Sequence, residues 1–129
     1  MTVSDNLGDM LTQVKNAYMA NKRVIVLEFS KEKESALKVL EKRHVVEKVE
    51  IIEADGEFKK MSVTIPPRTD LLIIKRMSKP GRRMYVKSKD IYNVKGGKGF
   101  LIISTSQGIM DSTDARKSKL GGELVAEVF

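Results

Sequence analysis

The sequence predicts a mixed α/β (α+β) protein that consists of two small associated domains. Three observations indicate this fold class. Helical and strand-like hydrophobic patterns alternate along the first half, short β-branched runs dominate the second half, and the charge balance changes where Pro66 and Pro67 interrupt the chain. We therefore expect an N-terminal α-β-α-β-β unit, and a C-terminal antiparallel β-sheet with a short helix. A chain of 129 residues is long enough to bury a core of this size.

The first half contains two segments with helical periodicity. In residues 4–20, apolar side chains recur every three or four positions, and Ser4 or Asp5 can cap the resulting helix. Its predicted inward face consists of Leu7, Met10, Leu11, Val14, Ala17 and Tyr18. Ser30 is expected to cap a second helix over residues 31–44. The residues that this helix would direct inward are Ala36, Leu37 and Leu40.

Three strands complete the first half. The compact β-branched run at residues 23–29 predicts a strand between the two helices. Residues 46–65 predict a hairpin, with Asp55 and Gly56 as the turn between two partly alternating strands.

The basic residues are concentrated in the second half of the chain. Residues 1–66 contain 11 Lys or Arg and 11 Asp or Glu, whereas residues 67–129 contain 13 and 6. The change coincides with Pro66 and Pro67, which cannot continue a strand, so we place the domain boundary there. An uneven excess of this kind indicates a polyanionic partner. Nucleic acid is the first candidate, and a membrane surface is the second.

The second half is rich in strand signals. Residues 70–77 and 82–87 are strand-like and flank a turn at 78–81, and a glycine-rich turn at 96–99 precedes an apolar strand at 100–104.

The last part of the chain predicts a helix followed by a strand. A short helix is expected over residues 111–119, and it leads into a closing strand over residues 121–129. Strict alternation along that strand predicts a single buried face, formed by Leu124, Ala126 and Val128.

One strand carries a pattern suited to RNA. Alternation over residues 82–87 places Met84 and Val86 on one side, and Arg83, Tyr85 and Lys87 on the other. An exposed tyrosine between two cations can stack on a base while the cations hold the RNA backbone. The alternative interpretation is an ordinary solvated strand face with a half-buried tyrosine.

Two nearby turns are rich in basic residues or glycine and are therefore candidates for contact with phosphate. The turn at 78–81 gathers Lys79, Arg82 and Arg83 around a rigid corner, although it need be no more than a turn. Residues 95–100 resemble a phosphate-binding loop, but no Gly-Lys-Ser/Thr follows and no helix begins there. A hairpin turn, or a backbone that approaches RNA closely, is the preferred interpretation.

Three hydroxyl side chains follow the apolar run at 100–103. Ser104, Thr105 and Ser106 precede Gly108, and two interpretations stay open from this stretch alone. The hydroxyls can bond neighbouring backbone groups in a turn, or they can contact a ligand.

The sequence does not predict an enzyme, a cofactor or a metal site. It contains no cysteine, and His44 is the only histidine. Asp111, Asp114 and Glu123 are the carboxylates nearest the hydroxyls, but no histidine accompanies them, and the first two fit the start of a helix. We also find no signal peptide or membrane span, and we expect a cytoplasmic protein without a membrane partner.

Four motifs together resemble one protein family from end to end. They are "DMLTQVKNA" at 9–17, "SKPGRRMYV" at 78–86, "STSQGIM" at 104–110 and "ARKSKLGGELVAEVF" at 115–129. Each is similar to a segment of the bacterial small-ribosomal-subunit protein numbered eight, the S-eight family.

The resemblance implies a structural constituent of the small ribosomal subunit. Its second domain would bind the central domain of small-subunit ribosomal RNA and help to assemble it, next to the neighbouring proteins S-five and S-twelve. Some relatives also repress their own messenger RNA, so operon messenger RNA is a second candidate ligand. The alternative is a free-standing RNA-binding module or messenger-RNA regulator without a ribosomal role.

The resemblance and the charge pattern together give the predicted RNA-binding residues. The residues that match family positions are the loop residues Ser104, Thr105, Ser106 and Gly108, the stacking Tyr85, and the turn residues Gly122 and Glu123. The residues predicted to hold the RNA backbone are Lys79, Arg82, Arg83 and Lys87.

Overall fold

The structure is a computed structural model that describes residues 5–53, 59–67 and 69–129. The helices are α1 (Asp5–Met19), α2 (Lys31–Lys42) and α3 (Ser112–Lys117). The strands of the first half are β1 (Val24–Glu28), β2 (Lys48–Glu53) and β3 (Lys59–Thr64). Those of the second half are β4 (Ile74–Arg76), β5 (Tyr85–Val86), β6 (Phe100–Thr105), β7 (Gly108–Asp111) and β8 (Gly122–Val128), with short 3₁₀ turns at Ser88–Asp90 and Lys95–Gly97. The predicted α+β class is confirmed.

The first sheet has three antiparallel strands in the order β1-β3-β2. The predicted strand at 23–29 is confirmed as β1, and the predicted hairpin is confirmed as the β2–β3 pair. Its expected turn at Asp55 and Gly56 lies outside the described residues.

Both predicted helices of the first half are confirmed. The six residues of the predicted inward face of α1 are all buried, as are Ala36, Leu37 and Leu40 of α2. The Ser30 hydroxyl accepts a hydrogen bond from the Lys33 N–H at 3.1 Å, so it caps α2 as expected. The expected cap of α1 by Ser4 or Asp5 lies outside the described side chains. None of the helices in the described ranges combines the length and the apolar composition needed to cross a bilayer.

The second sheet is built around β8. Its strand order is β4-β8-β6-β7, and β5 also pairs with β8. β4 pairs with residues 126–128 and β5 with residues 122–123, so β4 and β5 lie end to end along one edge of β8. All of these pairs are antiparallel, as predicted.

The expectation that β8 buries a single face is wrong. Glu123 is 0% exposed and Val125 is 2% exposed, although both lie opposite the predicted face. β8 is an internal strand, and its pairing with β6 shifts between Ile102 and Ile103, so that Val125 is an extra residue in the ladder. This bulge turns Val125 toward the same core as Ala126.

Two hydrophobic cores cover the two faces of the second sheet. The larger core contains α1, α2 and the first sheet, together with Phe100, Ile102 and Val128. The smaller core lies on the other face. Its buried members are Ile91, Val94, Leu101, Ile103, Ala115 and Leu124. The larger core draws side chains from both sides of the expected boundary, and the division into domains 1–66 and 67–129 stays a prediction.

A buried charge cluster joins α2 to the start of α3. Asp111 is 1% exposed, and its carboxylate lies 3.3 Å from Arg43 Nε and 3.7 Å from Lys42 Nζ. The Arg43 guanidinium also stacks over the Phe100 ring, at 4.7 Å from the ring centroid. The same Asp111 carboxylate accepts a hydrogen bond from the Asp114 N–H at 2.8 Å and so caps α3. The Asp111 side chain thus lies where β7 ends and α3 begins, and its negative charge compensates the positive charges of Lys42 and Arg43 at the C-terminal end of α2.

Removing the Asp111 carboxylate should destabilise the fold. We expect Asp111→Ala to lower the free energy of unfolding by about 3 kcal/mol, because it removes the buried counter-ion of the partly buried Arg43 and also removes a helix cap. Chemical denaturation measures this loss. Asp114→Ala is the matched control, since Asp114 is only partly buried and pairs with Lys42 near the surface, and it should change stability much less. Equal losses in the two variants would contradict the role of Asp111.

Candidate nucleic-acid interface

The sheet pairing brings most of the predicted site residues together. Residues that face each other across neighbouring strands form two adjacent rows at one end of the second sheet. The first row contains Tyr85, Glu123 and Ser104, and the second contains Gly122, Thr105 and Gly108. Segments that are distant in sequence therefore meet on four strands, β5, β8, β6 and the start of β7.

Tyr85 stands out from this end of the sheet. It is 64% exposed, whereas its neighbours Met84 and Val86 pack against the smaller core. The alternation predicted over residues 82–87 is confirmed for Met84, Tyr85 and Val86, but the strand itself, β5, is limited to Tyr85–Val86. Arg83 and Lys87 lie two positions before and after Tyr85, outside β5.

A shallow depression of about 500 Å³ lies beside the Tyr85 ring. Its lining residues are Tyr85, Val86, Lys87, Ser88, Gly121 and Gly122. The two glycines in this lining are closely packed against neighbouring backbone. A β-carbon on Gly121 would overlap the Val86 carbonyl oxygen, and one on Gly122 would overlap the Ser104 carbonyl oxygen. Ser88 and Gly121 are not among the predicted site residues, although the glycine pair at 121–122 is a visible signal in the sequence.

The turn at 79–82 has a rigid frame. The Lys79 N–H donates to the Arg82 carbonyl at 3.0 Å, the Arg82 N–H donates to the Lys79 carbonyl at 2.9 Å, and Gly81 takes a positive φ of 78°. The buried Ser78 hydroxyl accepts from the Met84 N–H at 2.9 Å and donates to the Met84 carbonyl at 3.2 Å. The turn is thereby tied to β5, and the side chains of Lys79 and Arg82 are exposed.

Arg83 and Glu123 form a partly buried ion pair. Arg83 Nη1 lies 3.4 Å from Glu123 Oε2, and the Glu123 side chain is 0% exposed while that of Arg83 is 26% exposed. Glu123 is the cross-strand partner of Tyr85, and Arg83 compensates its charge. Nothing in the sequence predicts this pair, because the two residues are 40 positions apart and meet only through the pairing of β5 with β8.

The three hydroxyls at the end of β6 have different surroundings. The Thr105 hydroxyl is buried, donates to the Gly108 carbonyl at 2.8 Å and accepts from the Gln107 N–H at 3.1 Å. It closes the turn between β6 and β7, which is the turn chemistry considered above. Ser104 is 5% exposed, whereas Ser106 is exposed at the tip. Gly108 takes a positive φ of 116°.

We call this end of the sheet the tyrosine surface, and it consists of Tyr85, Lys87, Gly122 and the turns at 79–82 and 105–108. It combines an exposed ring, flexible cations, close-packed backbone and a hydroxyl at a turn. Within the described ranges, no three His, Asp or Glu side chains are grouped as metal ligands would be. The fold and this surface define a small basic protein with the features of an RNA binder.

Comparison with known proteins identifies the family. The model of the family described as "Ribosomal protein S8" matches residues 5–129. The small ribosomal subunit protein uS8 of Dictyoglomus turgidum is 38% identical over 131 residues, and that of Caldanaerobacter subterraneus subsp. tengcongensis is 39% identical over 132 residues. In both cases the similarity covers 100% of each chain. The chain belongs to the ribosomal protein S8 family, which is a family of ribosomal proteins and not of enzymes, and the resemblance to the S-eight family is confirmed.

The neighbouring Arg82 and Arg83 should differ in their effect on stability. We expect Arg83→Ala to lower the free energy of unfolding by about 2 kcal/mol, because it removes a partner from the buried Glu123 carboxylate. Arg82→Ala removes the same charge from an exposed side chain, and its melting temperature should stay close to that of the parent protein. Thermal melts of both variants measure the difference. If both variants melt alike, the Arg83–Glu123 pair does not stabilise the fold.

Proposed function

We propose that the protein is a structural constituent of the small ribosomal subunit, and that it binds small-subunit ribosomal RNA directly through the tyrosine surface. The observation that carries this proposal is the exposed Tyr85 ring, which stands beside a depression lined with glycine backbone and Lys87. Membership of the ribosomal protein S8 family supports the ribosomal role. The protein would act in the cytoplasmic ribosome.

The parts of the tyrosine surface suit different parts of an RNA. The Tyr85 ring can stack on an unpaired base, and the backbone at Gly122 leaves room for a sugar or phosphate to approach. Lys79, Arg82 and Lys87 can neutralise phosphates without reading the sequence. Arg83 contributes positive charge, and its ion pair with Glu123 restrains the position of its side chain.

Specificity for a folded RNA requires uncharged contacts as well. Ser106 at the hairpin tip, and Ser104 where a bound RNA reaches it, can donate to and accept from sugars, phosphates and base edges. Thr105 would act indirectly, because its hydroxyl holds the turn that presents Ser106. Gly122 and Glu123 would likewise shape the surface, the first through close packing and the second through its pair with Arg83.

The resemblance extends the proposal to partners. We propose the central domain of small-subunit ribosomal RNA as the ligand, S-five and S-twelve as neighbouring proteins, and the protein's own operon messenger RNA as a second RNA ligand. Residues 67–129, which hold all of the excess positive charge, would form the RNA-binding domain.

One binding experiment separates this proposal from a general RNA-binding module. The purified protein should bind small-subunit ribosomal RNA with a salt-resistant component that is missing with random RNA of equal length and with anionic vesicles. Filter binding and vesicle sedimentation over a salt series measure the three affinities. Equal affinity for all three would indicate a generic polycation and would overturn the proposal.

The Tyr85 ring should contribute through stacking. Tyr85→Ala should weaken binding to small-subunit ribosomal RNA by about 1–3 kcal/mol, whereas Tyr85→Phe keeps the ring and should bind nearly as well as the parent protein. Isothermal titration measures both affinities, and a thermal melt confirms that each variant is folded. A folded Tyr85→Ala variant with unchanged affinity would exclude stacking at this position.

Removing the hydroxyls and removing the lysines should change different properties of RNA binding. Ser104→Ala combined with Ser106→Ala should lower affinity for the ribosomal RNA by roughly tenfold or more, because partners on the RNA are left unpaired, while the salt dependence stays the same. Lys79→Gln combined with Lys87→Gln should weaken ribosomal and random RNA alike, and should reduce the slope of log affinity against log salt by about 2. A double serine variant that melts lower, but keeps its preference for the ribosomal RNA, would assign these hydroxyls to the fold alone.

A further inference from the structure

A second basic surface lies on the opposite side of the five-stranded sheet. Segment 89–99 and α3, with the turn that follows α3 at 118–119, cover the smaller core, into which they direct Ile91, Val94 and Ala115. Their outward-facing cations are all exposed. These residues, which we call the rear basic surface, are Lys89, Lys95, Lys98, Arg116, Lys117 and Lys119.

The rear basic surface and the tyrosine surface face in different directions. Met84 and Val86 point into the smaller core, so the Tyr85 ring between them projects to the opposite face of the sheet. The segments that carry the rear cations lie over the smaller core. A single RNA strand stacked on Tyr85 would therefore leave these cations unused.

Few carboxylates oppose the rear cations. The covering segments contain two acidic residues, Asp90 and Asp114, and the Asp114 carboxylate is paired with Lys42 of α2. On the adjacent strand, Glu127 accepts a hydrogen bond from the Tyr92 hydroxyl at 2.7 Å. Burial, together with this bond, raises the pKa of Tyr92 to about 12, so the tyrosine remains a neutral donor and the carboxylate stays engaged. The rear basic surface thus keeps a strong positive excess.

The cations are held on a fixed frame. Arg116 Nη2 donates to the Ile91 carbonyl at 3.2 Å and to Asn93 Oδ1 at 3.3 Å, which ties α3 to the covering segment. Lys95 Nζ lies 4.8 Å from the centroid of the Phe129 ring. Contacts within the protein therefore hold the backbone segments that carry the cations, together with the side chains of Arg116 and Lys95.

We propose that the rear basic surface binds the phosphate backbone of a second RNA segment, without reading its sequence, so that the protein holds two RNA segments on opposite sides of one sheet. Spread cations of this kind match the dense negative charge of duplex RNA. An interface with a protein usually has an apolar centre, and Tyr92 is the one exposed large hydrophobic residue on these covering segments. The inference goes beyond the proposed function, and it relies on that function only for the identity of the first RNA.

Matched triple variants of the full-length protein test the inference. Lys89→Gln, Lys117→Gln and Lys119→Gln together remove three rear charges, and Lys22→Gln, Lys31→Gln and Lys60→Gln remove three exposed charges from the first half. The probe is a fluorescent RNA duplex of arbitrary sequence, titrated by anisotropy over a salt series. The rear variant should bind the duplex roughly tenfold more weakly at physiological salt, with a salt slope reduced by about 3. The control triple should bind it like the parent protein.

A crossed comparison separates the two surfaces. The rear triple should keep the preference for small-subunit ribosomal RNA over random RNA, whereas Tyr85→Ala should lower that preference and keep its affinity for the duplex. A different result is that the parent protein binds ribosomal and random RNA equally well, while only the rear triple has a lower affinity for the duplex. In that case the proposed function fails and this inference stands.

Two results would overturn the inference. The first is an equal loss of duplex binding in the rear and control triples. This would mean that the affinity for the duplex depends on the net charge of the protein and not on the rear basic surface. The second is binding of poly-glutamate as tight as that of the duplex, with the same loss in the rear triple, because this would indicate an acidic protein as the partner. Thermal melts of both triples confirm that the comparison concerns folded protein.

Discussion

The pairing of β8 with strands on both of its edges is the constraint on which the second half of the molecule depends. β6 lies along one edge, and β4 and β5 share the other. Gly122 permits this pairing at the tyrosine end, because a β-carbon there would overlap the Ser104 carbonyl oxygen. A change that pushes β8 away from β6 would separate Tyr85 from the hairpin turn at 105–108 in the same movement. The geometry of the tyrosine surface is therefore a property of the ladder and not of any single loop.

The bulge at Val125 lets one strand serve two cores. Beyond the bulge, Ala126 and Val128 face the larger core, and before it Leu124 faces the smaller one. Because Val125 is the extra residue, it joins Ala126 on the side of α1 and α2 instead of alternating away. The bulge also leaves Glu123 on the tyrosine side, where Arg83 compensates its charge. The same few residues of β8 thus pack the two cores and position Glu123 in the site.

The sequence predicts the local elements well and the contacts between them poorly. The periodicity of α1 and α2, the Ser30 cap and the alternation around Tyr85 depend on neighbours in the chain, and all were predicted. The bulge was missed because it depends on the register between two strands. The Arg83–Glu123 pair and the Asp111 cluster were missed because their partners meet only in the folded chain. The same limit applies to Thr105. Its hydroxyl could bond the backbone of a turn or contact a ligand, and the sequence alone does not show which hydrogen bonds it makes in the fold.

Both faces of the five-stranded sheet are covered by hydrophobic cores, and this restricts where the protein can bind anything large. A sheet with one open face could lay an RNA across its strands, but that arrangement is not available here. Binding is limited to the end of the sheet, where the cover stops, and to the outer sides of the segments that form the cover. The exposed Tyr85 lies at the first kind of place, and Lys89, Lys117 and Lys119 lie at the second. An α+β protein of this size can therefore offer two separate surfaces to one large RNA, because the core between them fixes the angle at which the two are presented.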